Sequence, residues 1–228
     1  MIDLHSHILP QMDDGSKSPE ESVKLFELLQ GQGISLVAAT PHFYPSQEAP
    51  EDFLVRREKS VAKLPETVAS RLLLGAEVAY FPGMGSCDAL IPLQLGSTGL
   101  ILVEMPFCSW TDRMISDVCA IPSQLGLTPV LAHINRYRGK SQFPKYCGQL
   151  MENDVLFQCN AEAFLPGLQG RWALQQVKRG HVHFLGSDAH NLTSRPPKLD
   201  QAIRLIEKKL GAEVLDALDN RASDWVRP

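Results

Sequence analysis

The chain has 228 residues, 44% of them apolar and 21% charged, with a formal net charge of −4. That size suits one α/β domain with a sizeable core, and the slight acidic excess offers no electrostatic case for gripping a nucleic-acid backbone. The five cysteines (Cys87, Cys108, Cys119, Cys147, Cys159) are odd in number and lack a CxxC spacing, which argues against a disulfide framework and a structural zinc site.

No stretch approaches the ~18 uncharged apolar residues of a membrane span. The chain does not open on a basic segment followed by an apolar run, so the expectation is a cytoplasmic protein without a membrane span.

In chain order, Ile2 to Leu4 is a short apolar run read as a first strand. The stretch SPEESVKLFELLQGQG then carries a complete helix start. Ser18 is the N-cap, Pro19 the first helical residue and Glu21 the capping-box partner, with Gly31 and Gly33 as stops. The alternation repeats: ISLVAAT with PEDFLVRREKSVAKL, RLLLGAEV with GMGSCDALIPL, and GLILVEM with DRMISDVCAIPSQLG. It continues with TPVLAHI and a helical stretch near 140–151, DVLFQCN with LQGRWALQQVKRG, and VHFLGSD with the segment Lys198 to Leu210. Segment 41–50 reads as a loop, and the tail NRASDWVRP carries little signal. Seven strand candidates, nearly all without polar alternation, predict a parallel sheet buried on both faces, open or closed.

The polar residues fall at the C-terminal ends of these runs. His5 and His7 follow the first, then His42, Glu77, Glu104, His133, Asn160, and finally Asp188 with His190, at intervals of 27 to 37 residues. In a parallel barrel these side chains converge on the rim where barrel active sites are built. A ring of imidazoles and carboxylates there would repel itself unless cations sat among them. Taken singly, the His5-x-His7 pair, Glu77 or Glu104 fits an ordinary ion pair at a sheet edge; the recurrence on strand after strand favours metal.

Donors of mixed imidazole and carboxylate type with no thiolate suit Mn²⁺, Fe²⁺ or Zn²⁺ better than Ca²⁺ or Mg²⁺ cages. With Asp14 there are five histidines and four carboxylates, enough for two or three ions. Such ions make water a nucleophile at neutral pH. Arg136 and Arg195 follow His133 and His190 closely, and two bidentate cationic donors beside metals suit a phosphate dianion. A cysteine nucleophile is disfavoured: only Cys108 has an arginine near the required spacing, Arg113, and the intervening SWTD has no glycine to let a phosphate loop close.

The stretches MIDLHSHILPQMDDGSKSPEES, ATPHFYP, GAEVAY, LVEMPF, AHINRY and GSDAHNLTSRPP span residue 1 to about 197. Together they resemble the polymerase-and-histidinol-phosphatase (PHP) superfamily, and within it the CpsB/YwqE-type bacterial protein tyrosine phosphatases linked to capsular and exopolysaccharide synthesis. The resemblance implies an α/β single domain over 1–228, a distorted seven-stranded (β/α)7 TIM-like barrel of the PHP fold. It implies a trinuclear centre usually assigned as Mn²⁺, and hydrolysis of phosphotyrosine on the tail of a cognate bacterial tyrosine kinase.

Carried over by position, His5, His7, Asp14, His42, Glu77, Glu104, His133, Asp188 and His190 would be the ligands, and Arg136 and Arg195 would hold the phosphate. Asp13 is the nearest rival to Asp14, one residue of register apart. Ile134-Asn135 stands where the family often has Pro-Glu. Two other functions stay open. One is a small-molecule phosphatase of the histidinol-phosphate kind or a broader phosphoesterase; the other is a non-catalytic, metal-stabilised barrel that recognises phosphopeptides or a kinase surface. An amidohydrolase is disfavoured, since it commonly wants a carboxylated lysine at a strand end and Glu104 stands there.

Overall fold

A computed structural model describes residues 1–226 except 141 and 166. Strand β1 (Ile2–Ser6) is followed by helix α1 (Pro19–Gly31), which starts as its sequence dictates: the Ser18 hydroxyl accepts from the Glu21 N–H at 3.3 Å. The Glu21 carboxylate returns one residue further back than a standard capping box, accepting from the Lys17 N–H at 2.8 Å. Next come β2 (Leu36–Ala39), β3 (His42–Phe43), α2 (Pro50–Val61), the single turn α3 (Glu66–Ala69), β4 (Leu72–Leu74) and β5 (Glu77–Ala79). Then follow β6 (Leu100–Glu104), α4 (Asp112–Leu125), β7 (Thr128–Leu131), α5 (Gln142–Glu152), β8 (Leu156–Asn160), α6 (Leu168–Lys178), β9 (Phe184–Gly186), α7 (Leu199–Leu210) and α8 (Ala212–Val226).

Every strand pairing is parallel, as the unalternating apolar runs imply. The strands form a three-stranded sheet, β1-β2-β4, and a six-stranded sheet, β3-β5-β6-β7-β8-β9. A parallel bridge from Ser6 to Ala189 links the end of β1 to the segment after β9. Among the described residues the seven expected runs appear as nine strand segments, because RLLLGAEV breaks at Gly75 and a further short strand, β3, forms just beyond ISLVAAT. Pro41, which has no N–H to give a ladder, separates β2 from β3, although its carbonyl still accepts from the Glu77 N–H at 3.0 Å. Gly75 separates β4 from β5, and a Cβ there would collide with the Leu95 side chain.

Two further expectations are corrected. Segment 41–50 is not wholly loop, since it contains β3. The stretch GMGSCDALIPL forms two 3-10 turns, Met84–Ser86 and Asp88–Leu93, and not an α-helix; Gly83 enters with φ 85° and Pro92 interrupts the second. The tail, of which nothing was expected, is helical through Val226: α8 buries Leu218 and Ala222, four apart on one face. The helix expected near 140–151 is α5, with residue 141 outside the described residues. None of the described helices is long and apolar enough to cross a membrane.

Period-2 alternation divides the core into two clusters. Leu4, Ala38, Leu100, Leu102, Val130 and Phe184 belong to an inner cluster, against which Trp225 and Val226 of α8 pack. Their neighbours Val37, Ile101, Val103, Leu131, Phe157 and Leu185 join the larger cluster with the helices. Continuing the inner parity along β6 leads from Leu102 to Glu104, and along β8 from Leu156 to Gln158 and Asn160. On β1 a register shift between Asp3 and Ser6 breaks the alternation, so that His5 as well as its neighbour Leu4 turns inward.

Candidate metal centre

Strand register brings the polar ends together. His42 pairs with Glu77 across β3 and β5, and Ala79 pairs with Glu104 across β5 and β6. Glu77 is the hub: its Oε2 lies 3.3 Å from Nε2 of both His5 and His7 and 2.9 Å from Nδ1 of His42, and its Oε1 lies 2.9 Å from Nε2 of His133. His133 Nε2 also reaches Glu104 at 3.2 Å. Asp188 Oδ1 sits 3.7 Å from His5 Nε2 and 3.5 Å from His7 Nε2 and His190 Nδ1. Asp14 closes the other side, with Oδ1 3.3 Å from His190 Nε2 and 3.7 Å from His42 Nε2. All nine residues singled out as ligands therefore meet in one place.

Three overlapping groups within the cluster have donor atoms close enough to share an ion: His7, Asp14, His42 and His190; His5, His7 and Glu77; and His42, Glu77 and Glu104. The cluster is also chemically incomplete by itself. His42 Nδ1 and Glu77 Oε2, though 2.9 Å apart, are not aligned as a hydrogen bond, and with His190 Nε2 they are buried and unsatisfied, while Nε2 of His5 faces Nε2 of His7 at 3.2 Å. A buried polar atom left unsatisfied costs about 1–3 kcal/mol. Several lone pairs aimed at shared space fit divalent cations, and the donor set matches that chemistry. Of the nine, Asp14 is the exposed one, its side chain 64% accessible.

Asp13 and Asp14 have different places. Asp14 joins the donor group, whereas Asp13 stands behind it: Oδ2 is 2.6 Å from His7 Nδ1 and accepts from the His42 N–H at 2.8 Å, while Oδ1 accepts from the Gly15 N–H at 2.8 Å. Gly15 must be glycine, because a Cβ would overlap the His7 carbonyl. Gln158 supports the opposite side. Its Oε1 accepts from the His133 N–H at 2.7 Å and lies 3.2 Å from His5 Nδ1, and its Nε2 donates to Asn160 Oδ1 at 2.9 Å. Asn160 Nδ2 in turn donates to Asp188 Oδ2 at 2.7 Å. Fixing the far nitrogen of an imidazole sets which nitrogen faces the ion.

Gln158 was missed in the sequence, although it shares the inner parity of Asn160 and could have been found that way. Two donors sit on strained backbone: His133 has φ 33° and Asp188 φ 52°.

The electrostatics follow from burial and crowding. Burial alone would raise the Glu77 carboxyl, yet charge on His5 and the bond from His133 hold it well below the usual carboxylate range. Burial lowers His133, but the Glu104 and Glu77 carboxylates outweigh it and push it up to about 9. His190 goes the other way, to about 3, through burial and the nearby charge of His7. Tyr44, stacked on His42 at 5.2 Å, is pushed up to about 12 by burial and by Glu104 and Glu77.

The two arginines lie at this rim. Arg136 Nη2 donates a short hydrogen bond to Asp188 Oδ2, and Arg195 Nη2 donates to the same oxygen at 2.9 Å. Arg195 Nη1 is also 3.6 Å from Asp14 Oδ2, and Arg136 Nε is 3.8 Å from Glu162. Both stay part-exposed at the mouth of the cluster. The five cysteines are unpaired.

A family profile described as "Capsular polysaccharide synthesis, CpsB/CapC" matches residues 1–224. The chain is 33% identical to tyrosine-protein phosphatase CpsB of Streptococcus pneumoniae, over 93% of this chain and 92% of that protein. It is 30% identical to tyrosine-protein phosphatase YwqE of Bacillus subtilis (strain 168), over 100% and 92% respectively. Among solved structures, a chain from work on YwqE of Bacillus subtilis and CpsB of Streptococcus pneumoniae, described as unique metal-dependent tyrosine phosphatases, superposes with a TM-score of 0.84. The identity is 27%, covering 100% of this chain and 94% of that one.

Proposed function

The chain belongs to the CpsB/CapC family of capsular polysaccharide synthesis, and from that premise we propose that it is a metal-dependent protein tyrosine phosphatase. Its substrate is phosphotyrosine on the tail of a cognate bacterial tyrosine kinase. The observation that carries the reading is the convergence of four imidazoles on the Glu77 carboxylate, in a cluster where His42 Nδ1, Glu77 Oε2 and His190 Nε2 are buried and unsatisfied. His5, His7, Asp14, His42, Glu77, Glu104, His133, Asp188 and His190 would hold two or three divalent ions, Mn²⁺ by family resemblance, with Fe²⁺ or Zn²⁺ as alternatives suited to the same donors. Such ions supply positive charge for a phosphate and a water acidic enough to attack at neutral pH.

The chain's own residues do the rest. Asp13 and Gln158 hold Nδ1 of His7 and His5, leaving Nε2 of each toward the shared donor space where ions would bind. Arg136 and Arg195 are held at the mouth by the outer oxygen of Asp188, and each keeps further N–H donors for the equatorial oxygens of a phosphoryl group. The tyrosine phenolate is a tolerable leaving group because its conjugate acid has a pKa of about 10. Counting β2 with β3 and β4 with β5 gives seven strands, and the parallel Ser6–Ala189 bridge supports reading them as one distorted barrel in a single domain. A cytoplasmic location accords with a kinase-tail substrate.

Elemental analysis of the purified protein, paired with phosphate release from a phosphotyrosine peptide and from histidinol phosphate, tests this. Two or three equivalents of metal and a marked preference for the peptide are expected. Faster turnover of histidinol phosphate would replace the substrate, and metal-free protein with undiminished activity would sink the mechanism.

A further inference from the structure

Of the polar strand ends picked out along the sequence, Asn160 alone is not among the nine donors. It closes β8 at the rim, and its side chain and that of Gln158, two residues earlier, are fully buried.

The two amides form a relay whose direction is fixed at both ends. It starts at the His133 N–H, which can only donate, so the end of Gln158 that meets it at 2.7 Å is Oε1. Gln158 Nε2 then faces Asn160 and donates to its Oδ1 at 2.9 Å. Nδ2 of Asn160 is thereby turned on the Asp188 carboxylate, an acceptor, at 2.7 Å. Neither amide can flip without setting like against like at two buried contacts. Nor is there room to swing aside. Gln158 Nε2 rests on the bare backbone of Gly186, where a Cβ would overlap it, and the Asn160 N–H is tied to Asn135 Oδ1 at 3.0 Å.

Asp188 Oδ2 consequently takes donors from Asn160, Arg136 and Arg195. Three donors use up its lone pairs, and Oδ1 is left to the histidines of the cluster. We propose that Asn160 is a positioning residue for phosphate binding: by fixing Asp188 Oδ2 it sets where both arginines stand, and Gln158 acts on them only by orienting Asn160. The proposal rests on the phosphatase reading of the metal centre. A carboxylate without this neutral donor would be free to turn, and both guanidinium groups would turn with it. The amide keeps the fork in place while the arginines engage a phosphate.

The test titrates inorganic phosphate calorimetrically into Mn²⁺-saturated protein of confirmed metal content, for wild type, Asn160→Ala, Asn160→Asp and Gln158→Glu. Asn160→Ala is expected to raise the phosphate dissociation constant about three- to tenfold, the scale of one hydrogen bond. Asn160→Asp is expected to raise it about 10- to 100-fold, because it sets a second buried carboxylate against Asp188. A residue that merely fills space predicts the reverse order, since aspartate keeps the shape of asparagine and alanine does not. Gln158→Glu keeps an acceptor for the His133 N–H but turns another on Asn160, whose amide must then flip and offer Oδ1 to Asp188. Its dissociation constant is expected to rise about three- to tenfold, although Gln158 bonds neither arginine, and the same change in an Asn160→Ala background is expected to add nothing. This variant is isosteric and decides the matter where an Asn160 variant does not fold. Asn160→Asp milder than Asn160→Ala, Gln158→Glu with wild-type affinity, or variants that lose phosphate only because they cannot be loaded with metal overturn the relay. Wild-type protein that shows the expected ranking yet releases no phosphate from a phosphotyrosine peptide overturns the phosphatase reading and leaves the relay standing.

Discussion

Oδ2 of Asp13 lies 2.6 Å from Nδ1 of His7, and the other nitrogen of that ring lies 3.3 Å from Glu77 and 3.5 Å from Asp188. Burial penalises charge on both partners, but each holds the other ionised: His7 is raised well above its ordinary value and Asp13 lowered below the usual carboxylate range. Asp13→Asn keeps the shape and removes the charge. It is expected to weaken metal binding roughly 10- to 100-fold, as the loss of an outer partner of a ligating histidine does. Competition with a chelator of known affinity measures this, and an affinity equal to wild type would deny Asp13 its supporting role.

Metal removal should cost stability as well as activity, because the ions bind the folded centre and not the unfolded chain. Free metal at a hundred times its dissociation constant contributes about 2.7 kcal/mol per site, and about 1 kcal/mol moves the melting midpoint by ~2–4 °C at this chain length. Calorimetry before and after chelation is therefore expected to show a drop of at least ~5 °C, restored by added Mn²⁺. A midpoint indifferent to chelator would mean that the centre is satisfied without ions.

Arg136 and Arg195 share Asp188 Oδ2, which allows two roles that kinetics can separate. If they bind phosphate, replacing either with alanine raises the inhibition constant of inorganic phosphate by about 10- to 100-fold, the worth of a hydrogen bond to a charged group, with metal content retained. Arg136→Lys should recover little of this, since an ammonium cannot reproduce the planar fork. Loss of metal with unchanged phosphate inhibition would instead make the arginines mere braces for Asp188.

His183 stands just before β9, at the strand end opposite the centre, where its Nδ1 accepts from the Phe157 N–H at 3.0 Å. Burial, with the charges of Arg221 and His181, lowers it to about 4. Unfolded, it titrates near 6.5. The folded state thus resists a proton that the unfolded chain accepts, so the contribution of His183 is complete above about pH 6.5 and is lost as pH falls through about 4. Urea midpoints of wild type and His183→Gln, measured from pH 7 to 4, are expected to converge or cross as the wild type loses about 2–3 kcal/mol relative to the variant. Parallel curves would contradict the assignment.

Much of this was legible before any coordinates. The helix starting at Ser18 and the apolar runs ending in His, Glu or Asp announced α/β alternation and a shared rim, because capping and periodicity are local. The breaks at Pro41 and Gly75 were not, since a bent strand and an ended one look alike until a neighbour's hydrogen bonds are known. Asp13 and Asp14 are adjacent, and only the turn forced by Gly15 against His7 decides which one joins the donor group. Gln158 escaped because an amide in an apolar run carries no motif; its meaning lies in the histidines of two other strands. Helix α8 had a readable signal in the spacing of Leu218 and Ala222, diluted by the polar residues around it.

The seam where Ser187 donates to Asp3, 184 positions away, has a temporal consequence. During synthesis His5 and His7 are made 183 positions before Asp188 and His190 can join them. A truncation upstream of that point removes two of the nine donors, Asp188 and His190, because the two edges of the cluster come from distant parts of the sequence. The full cluster is consequently complete only once the segment after β9 reaches β1, whereas His5, His7, His42, Glu77 and Glu104 are all in place earlier in the chain.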